Sequence, residues 1–314
     1  MKKSVSIIIP AYNEMQNVKI IVDELLNEFK CTDIKFKICF VDDGSSDGTW
    51  EEIEKLTKKF SQVNGIKFSR NFGKEAAIFA GLAEIKSDCY IVMDCDLQHP
   101  PCVINKMIEK WQKEGYLIVE GIKRNKDNNK IKRVFPNLFY SLFTKVIGFD
   151  MRNSSDFKLV DKKVVDLITN LPERRTFFRA LTFWTGFPSA RIYYDVRERR
   201  YGTSKWSFKS LIYYALRNLM SYSAAPLMLV TYAGSGAVFI AGVLGVQTLW
   251  RFLSSRAVEG FTTVILLILF FGGIILMSIG LIGRYIAAIY DEIKMRPRYI
   301  IESVDINNEE EILL

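Results

Sequence analysis

The sequence predicts an α/β fold, with a mostly parallel β-sheet covered by helices on both faces, followed by two membrane-spanning helices. Short β-branched runs alternate with amphipathic helical patterns through at least four rounds up to residue 121, and such alternation is typical of parallel sheets. Two later stretches, 218–250 and 260–283, contain no charged residue. Each is longer than the roughly 20 residues that cross a bilayer as a helix.

The individual elements follow from local pattern. Each predicted strand is a short run rich in Val, Ile and Phe that ends at a polar or glycine-containing turn. Each predicted helix repeats apolar residues at intervals of three and four, as Val18, Ile21, Val22 and Leu25 do after the first strand. In chain order the predicted elements are strand 4–9, helix 17–29, strand 36–41, a helix ending near 60, strand 65–69, helix 74–86, strand 89–93, a helix opening at Pro100-Pro101 and strand 116–121.

Polar clusters follow the first four predicted strands, at 10–14, 42–49, 70–74 and 94–98. Parallel strands present their carboxyl ends at one edge of the sheet, where ligands bind, so the four clusters are expected to converge on one site. Asp42, at the end of the second strand, can accept a hydrogen bond from the N–H of a nucleotide base, such as N3 of uracil. The Gly-Ser-Ser-Asp-Gly-Thr turn that follows is commonplace and is interpreted as structural.

Two carboxylates, Asp94 and Asp96, follow the apolar strand 89–93. Side chains alternate along an extended chain, so both carboxylates point to the same side. Two acids held close together are unfavourable unless a cation lies between them. Asp94, Asp96 and Gln98 are therefore candidate oxygen ligands for Mg²⁺ or Mn²⁺ carrying a diphosphate. The competing interpretation is that Asp96 caps the helix that begins near Pro100.

The carboxyl-terminal half of the chain has the pattern of a membrane protein. Two aromatic-rich amphipathic stretches, 131–148 and 206–222, either pack on the core or lie in the membrane interface. The predicted domains are a cytosolic domain over 1–225, two spans at 226–250 and 261–284 within 226–290, and a cytosolic tail over 291–314. The acidic part of that tail, from 302 onwards, is expected to be poorly ordered.

The distribution of basic residues predicts the orientation of these spans in the membrane. The chain has a net charge of +8, and its basic residues cluster before the first span and after the second, which favours both termini in the cytosol and a plasma (inner) membrane location. Charge at membrane edges matches anionic lipid headgroups better than nucleic acid. No acid or base lies inside a span, which argues against ion transport. Glycines in both spans permit close helix packing, so a homo-oligomer is expected.

Four motifs together resemble those of a known family. They are Pro-Ala-Tyr-Asn-Glu (10–14), Val-Asp-Asp-Gly-Ser-Ser-Asp-Gly-Thr (41–49), Ser-Arg-Asn-Phe-Gly-Lys (69–74) and Met-Asp-Cys-Asp-Leu-Gln-His-Pro-Pro (93–101). The combination resembles family 2 glycosyltransferases of the GT-A fold. More narrowly, it is similar to the polyprenyl-phosphate glycosyltransferases, which include bactoprenol glucosyl transferases and dolichol-phosphate mannose synthases.

The resemblance implies a role for each matching residue. The nucleotide-sugar site would comprise Pro10, Tyr12, Glu14, Asp42, Lys74 and Asp94. The metal would be held by Asp94, Asp96 and Gln98, and the catalytic residues would be Asp96 and Asp156. His99 departs from the pattern, because the family usually has an acid there. It is the only histidine in the chain and is interpreted as a helix-start or surface residue.

A lipid phosphate acceptor makes simple chemical demands. Its second pKa is near 6, as for other phosphate monoesters, so at neutral pH it is already an anionic nucleophile and needs no strong general base. It does need positive charge to hold it beside a diphosphate. The candidates are Arg124, Arg133, Arg200 and Lys205. Each of them could instead contact a lipid headgroup.

The predicted reaction transfers a hexose, glucose or N-acetylglucosamine, from a UDP-sugar to undecaprenyl phosphate at the cytosolic membrane face. It would be metal-dependent and inverting, and the lipid-linked sugar would serve the modification of cell-envelope glycans such as lipopolysaccharide or teichoic acid, with a flippase as a possible partner. Three alternatives stay open: a GDP-mannose-dependent mannose synthase, a processive polysaccharide synthase and a non-catalytic flippase adaptor. The processive enzymes usually carry Gln-x-x-Arg-Trp, which the nearest stretch, 179–184, lacks.

Overall fold

The computed structural model describes residues 3–30, 32, 34–124, 155–174, 176–196, 225–254 and 261–307. These residues belong to two compact units. The first contains the described residues up to 196 together with 296–307, and the second contains the two long helices between them. The predicted amphipathic helices 131–148 and 206–222 lie outside the described residues.

One eight-stranded sheet forms the centre of the first unit. Its strands are β1 (Ser4–Ala11), β2 (Lys35–Asp42), β3 (Val63–Phe68), β4 (Cys89–Val92), β5 (Ile118–Lys123), β6 (Lys158–Asp161), β7 (Ser189–Tyr194) and β8 (Ile301–Asp305). They lie in the order β7-β5-β6-β4-β1-β2-β3-β8. Only β6 and β8 pair antiparallel with their neighbours, and the other pairs are parallel. The prediction of a mostly parallel α/β sheet is confirmed.

Helices follow most strands of this unit. They are α1 (Met15–Phe29), α2 (Thr49–Lys59), α3 (Lys74–Glu84), α4 (Cys102–Glu114), α5 (Lys162–Thr169) and α6 (Phe178–Trp184). The first four lie within a few residues of the predicted positions. Their apolar stripes are buried as expected: Val18, Ile21, Val22 and Leu25 of α1 are all in the core.

The sheet is covered on both faces, because consecutive residues of its central strand are buried. Ile7, Ile8 and Ile9 of β1 are each 0% exposed, and burial of one such side chain contributes about 1.5–3 kcal/mol. Helix α3 packs tightly on this strand: a Cβ added at Gly81 would lie 2.4 Å from Cγ2 of Ile8. That close approach fixes the position of α3, and hence of Lys74 at its amino end.

The carboxyl-terminal segment differs from the prediction. Residues 302–305 are not poorly ordered but belong to β8, which pairs antiparallel with the edge strand β3. The side chain of Asn307 donates to the carbonyl oxygens of Thr57 and Val63 at 3.1 and 2.9 Å. The acidic composition of this segment does not predict a strand. Its pairing partner is distant in the sequence: Lys67 of β3 and Glu302 of β8 are 235 residues apart and form an ion pair of 2.9 Å.

We expect deletion of residues 301–314 to lower the melting temperature of the first unit. Edge strand β3 would lose its antiparallel partner together with the Thr57–Asp305 and Asn307 hydrogen bonds. Each net hydrogen bond contributes about 1 kcal/mol, and each kcal/mol shifts the midpoint by about 2–4 °C in a unit of this size. A chain ending at Asn307 is the control and should melt like the full chain. Equal melting of both truncations would contradict the role assigned to β8.

Two long apolar helices, α7 (Ala225–Leu253) and α8 (Phe261–Ile293), form the described part of the second unit. Within them Val230–Thr248 and Phe270–Ile293 have mean hydropathies of 1.4 and 1.8. By length and composition both stretches could cross a bilayer. The predicted spans 226–250 and 261–284 fall inside these helices, and α8 continues to Ile293, into the predicted tail.

Candidate active site

The four polar clusters meet at the carboxyl edge of the parallel strands, as the sequence predicts. Each cluster touches the next one, because β1, β2, β3 and β4 point the same way. The joining contacts are Asn13 N to Ser45 Oγ (2.9 Å), Glu14 N to Thr49 Oγ1 (2.9 Å), Phe72 N to Asp43 Oδ1 (2.7 Å) and Lys74 Nζ to Asp94 Oδ1 (2.5 Å). These links define one continuous candidate site.

Asp42 has a free acceptor atom at this edge. Its Oδ1 accepts a hydrogen bond from the backbone N–H of Ser45 (3.2 Å). Its Oδ2 is buried and has no hydrogen-bond partner within the described part of the chain. Burial raises the pKa of Asp42 above its usual range. Because buried polar atoms are normally paired, an unpaired carboxylate oxygen here fits a ligand N–H donor.

Three other residues of the predicted nucleotide site lie at the end of β1 or between β1 and α1. Tyr12 follows β1 and its side chain is 40% exposed. Glu14 precedes α1, where its carboxylate accepts from Asn17 Nδ2 at 2.6 Å. Pro10 is the partly exposed penultimate residue of β1. Their contact with a nucleoside stays a prediction.

Asp43 positions the loop that carries Lys74. Its carboxylate accepts the backbone N–H groups of Phe72 (2.7 Å) and Gly73 (3.0 Å). Burial raises the pKa of Asp43 to about 6, against the effect of these hydrogen bonds. Gly44 has a φ of +70°, and a Cβ there would lie 2.6 Å from the backbone carbonyl carbon of Arg70. The second and third clusters are therefore locked together by backbone contacts.

A network of four charged side chains lies at the centre of the edge. Lys74 Nζ lies 2.5 Å from Asp94 Oδ1 and 2.7 Å from Asp156 Oδ2. Arg179 of α6 donates to both oxygens of Asp156, from Nε at 2.6 Å and from Nη2 at 2.8 Å. The two carboxylates and two cations balance in charge, and the bidentate Arg–carboxylate geometry is the strong form of such a pair.

The topology explains why Asp156 lies here. Strand β6 runs antiparallel to β4, with Lys158 opposite Val92, so the residues just before β6 lie at the carboxyl edge of β4. The side chain of Asp156 is only 4% exposed and both its oxygens are engaged. Its predicted catalytic role stays untested, and its contacts are those of an anchor for two cations.

Neighbouring charges shift the pKa values of Asp156 and Lys74 in this network. Burial alone raises the pKa of Asp156, but Lys74 and Arg179 hold it well below its usual range. Burial lowers the pKa of Lys74, but Asp94 and Asp156 raise it above its ordinary value. The contact between Lys74 and Asp156 therefore stabilises the charged form of both groups.

Three side chains form a candidate metal site. Ligand atoms of Asp94, Asp96 and His99 all lie within 4.8 Å of one another. Two carboxylates and an imidazole are a donor set that divalent first-row metals accept. The turn that presents them is sharp: Leu97 has a φ of +61°, and the N–H of Gln98 donates to Asp96 Oδ1 at 3.1 Å.

The competing interpretation of Asp96 as a helix cap is wrong. Helix α4 begins at Cys102, and its N-cap residue is Pro101, with no side-chain capping hydrogen bond. The predicted ligand Gln98 has its Oε1 3.4 Å from Lys123 Nζ. Its part in metal binding stays a prediction.

The interpretation of His99 as a helix-start or surface residue is also wrong. His99 is 3% exposed, and its ring centre lies 4.5 Å from that of Phe157 with the two planes tilted by 32°. Its Nδ1 lies 2.8 Å from Tyr194 Oη, a contact across 95 residues of chain. The partner comes from β7, a strand that sequence reasoning did not predict, so only the departure from the family pattern could have drawn attention to His99.

Other functional candidates were missed or lie outside the described residues. Arg179 was missed because nothing in its local sequence indicates that its partner is Asp156, just before β6. Arg124 has an exposed side chain and its backbone N–H donates to the carbonyl of Tyr194 at 2.8 Å. The other predicted phosphate-binding residues, Arg133, Arg200 and Lys205, lie outside the described residues.

Comparison with known proteins shows the family to which the chain belongs. The sequence profile described as "Glycosyl transferase family 2" matches residues 6–166. The protein CsbB of Bacillus subtilis (strain 168) is 38% identical over 98% of this chain and 93% of its own length. The bactoprenol glucosyl transferase of Shigella phage SfX is 34% identical over 95% of this chain and 99% of its own. The SfII prophage-derived bactoprenol glucosyl transferase of Shigella flexneri is 33% identical over 95% and 97%.

The sheet, the acidic cluster at its carboxyl edge and these similarities define a glycosyltransferase of the GT-A fold. The chain belongs to glycosyl transferase family 2. This confirms the resemblance drawn from the four motifs.

Proposed function

We propose that this protein transfers a hexose, glucose or N-acetylglucosamine, from a UDP-sugar to undecaprenyl phosphate at the cytosolic face of the plasma membrane. The observation that carries the proposal is the similarity to bactoprenol glucosyl transferases over 95% of the chain. Similarity of that extent covers both the catalytic unit and the two apolar helices. The described site is compatible with it on both the donor and the acceptor side.

The nucleotide-sugar donor would bind at the carboxyl edge of the parallel strands, in the part that carries Asp42, Asp94 and Asp96. The unpaired Oδ2 of Asp42 would accept the N3–H of uracil. Asp94 and Asp96 would hold Mg²⁺ or Mn²⁺, which supplies positive charge to stabilise the departing nucleoside diphosphate. Lys74 adds a fixed positive charge beside Asp94, held in place by Asp156 (2.7 Å).

The acceptor side needs charge and not a base. A phosphate monoester attacks the anomeric carbon directly as an anion, and a single in-line displacement inverts the configuration. Arg124, at the end of β5, would help to hold that phosphate, and Arg133, Arg200 and Lys205 are proposed to share this role. The carboxylate of Asp156, whose pKa is held low by Lys74 and Arg179, is suited to holding cations and not to accepting a proton.

The membrane arrangement follows from chain connectivity. Strand β1 precedes the two apolar helices and β8 follows them, yet both belong to one sheet. An even number of crossings would keep β1 and β8 on the same side of the bilayer, and α7 and α8 would supply two. The basic residues before α7 and after α8 favour a cytosolic position for the sheet and both termini. We also propose that protomers associate through these glycine-containing helices and that a flippase takes the product.

The donor is tested by competition. Purified protein in detergent is given equal amounts of UDP-glucose, UDP-N-acetylglucosamine and GDP-mannose, with undecaprenyl phosphate and Mn²⁺ or Mg²⁺. Mass spectrometry of the lipid fraction should show one sugar, taken from a UDP donor. A mannolipid would favour the mannose synthase, and a growing series of masses would favour a processive synthase. Absence of any glycolipid, together with no nucleotide binding by calorimetry, would favour the adaptor.

We expect Asp42→Asn to weaken UDP binding by about 10-fold or more, since a hydrogen bond to a charged group contributes about 1.5–3 kcal/mol. The isosteric amide keeps the turn formed with Ser45 but loses the charge that accepts the base N–H. Titration calorimetry with UDP measures the change. Asp23→Asn, at an exposed position of α1, is the matched control and should bind like wild type. Equal affinities for all three proteins would remove Asp42 from the nucleoside site.

A further inference from the structure

His99 is a buried polar side chain aimed at the acidic pair. It is the only histidine of the chain and is 3% exposed. Its Nε2 lies 3.6 Å from Asp94 Oδ2, a distance beyond the range of a hydrogen bond. A ring nitrogen of His99 and carboxylate oxygens of Asp94 and Asp96 lie within 4.8 Å of one another.

The surroundings of the ring fix its orientation. The Phe157 ring lies 4.5 Å from it at a tilt of 32°, and Tyr194 meets Phe157 edge-on at 5.5 Å. Tyr194 Oη lies 2.8 Å from Nδ1. When Nδ1 carries the proton and donates a hydrogen bond to Tyr194 Oη, Nε2 is unprotonated and presents its lone pair toward Asp94. Metal-binding histidines commonly have this arrangement, in which one ring nitrogen donates to a neighbour and the other binds the ion.

We propose that His99 Nε2 is a third protein ligand of the metal, that Tyr194 positions it, and that the site therefore prefers Mn²⁺ to Mg²⁺. The inference rests on the proposed function, because it assumes a divalent ion carrying the donor diphosphate. Mg²⁺ takes oxygen ligands almost exclusively, whereas imidazole nitrogen raises the affinity for first-row transition metals. The candidate metal site of this chain thus combines a nitrogen donor with two carboxylates.

Geometry and charge are consistent with this assignment. Opposite ligands of a six-coordinate ion with bonds of about 2.1 Å lie about 4.2 Å apart. Adjacent ligands of such an ion lie about 3.0 Å apart. The observed distance of 3.6 Å between His99 Nε2 and Asp94 Oδ2 falls between these two values, and side chains that now lie up to 4.8 Å apart must move closer to bind one ion. Asp94 and Asp96 already supply two carboxylates, and a third acid in place of His99 would add negative charge beside the donor diphosphate.

The single histidine makes a direct test possible. Protein purified without a polyhistidine tag and labelled with [¹⁵N]histidine carries label at one residue only. With Mn²⁺ and UDP bound, pulsed electron paramagnetic resonance should detect ¹⁵N coupling to the ion. Bound Mn²⁺ without ¹⁵N coupling would overturn the assignment. Asp23→Asn, at an exposed position of α1, is the control in which the coupling should persist.

Two variants test positioning and metal preference. Tyr194→Phe removes the acceptor of Nδ1 and should lower Mn²⁺ affinity by about 10-fold or more, as loss of such supporting groups does. His99→Asp restores an all-oxygen site and should reduce the ratio of Mn²⁺ to Mg²⁺ affinity, measured with UDP present, by about 10-fold. An unchanged ratio in His99→Asp, or unchanged affinity and coupling in Tyr194→Phe, would contradict the proposal.

Failure of this inference differs from failure of the proposed function. If the labelled protein makes glycolipid but shows no ¹⁵N coupling, His99 is not a ligand and the transferase assignment stands. If it shows the coupling but makes no glycolipid from any donor of the panel, the metal site stands and the reaction is wrong.

Discussion

Asp96→Asn is expected to reduce glycolipid formation by about a thousandfold or more. A metal ion supplies several kcal/mol of charge stabilisation to the leaving diphosphate, and each 1.36 kcal/mol corresponds to tenfold in rate. The amide keeps the shape of the side chain and can still accept the N–H of Gln98, which lies at 3.1 Å. It removes the negative charge that would hold the ion. The measurement is kcat with saturating donor and acceptor.

The control for Asp96→Asn separates loss of chemistry from loss of fold. The variant should melt at the wild-type temperature and bind UDP equally well when no metal is added. It should also bind Mn²⁺ much more weakly in the presence of UDP. Activity within tenfold of wild type would show that Asp96 does not hold the ion, and the metal site would have to be assigned to other residues.

The second large effect concerns stability as well as activity. Asp156→Ala leaves Lys74 and Arg179 without the buried carboxylate that both contact. Breaking a buried ion pair on one side costs about 3–5 kcal/mol, which corresponds to a fall of about 6–20 °C in melting temperature. Transfer should also fail, because Lys74 loses one of the two acids that fix its ammonium beside Asp94. Thermal unfolding and kcat are both measured.

A double-mutant cycle sharpens this prediction. Arg179→Ala alone removes one partner of Asp156, and the double variant Asp156→Ala/Arg179→Ala removes the pair. Because the two side chains are joined by two hydrogen bonds of 2.6 and 2.8 Å, the double variant should be less destabilised than the sum of the singles. Additive losses, or an Asp156→Ala variant that melts like wild type, would contradict the network as described.

The sequence was sufficient for the parallel half of the fold. Strands β1 to β5 and the first four helices carry strong local patterns, and the rule that parallel strands share a carboxyl edge was enough to bring four polar clusters together. Asp42, Asp94 and Asp96 could be proposed for the same reason, since each lies at the end of a strand or within four residues of it. Contacts between neighbouring clusters, such as Lys74 with Asp94, confirm the convergence.

The rest depended on tertiary pairing that has no local signal. β6 is four residues long and β8 is acidic, and each is a strand only because a partner strand lies beside it. Arg179 could not be linked to Asp156, nor Tyr194 to His99, without knowing that β6 and β7 join the sheet beyond β4. His99 was misjudged on general frequency, because lone histidines are usually unremarkable and its buried surroundings come from distant segments.

The most direct measurement follows a labelled sugar from donor to lipid. Purified protein is incubated with UDP-[¹⁴C]glucose, undecaprenyl phosphate and Mn²⁺, and the water and lipid phases are separated. We expect label to enter the lipid phase as a single glucosyl phospholipid, released by mild acid, with an equal amount of UDP formed and almost none with Asp96→Asn. Label that stays in the water phase, or that enters a polymer, would contradict transfer of one sugar to a lipid phosphate.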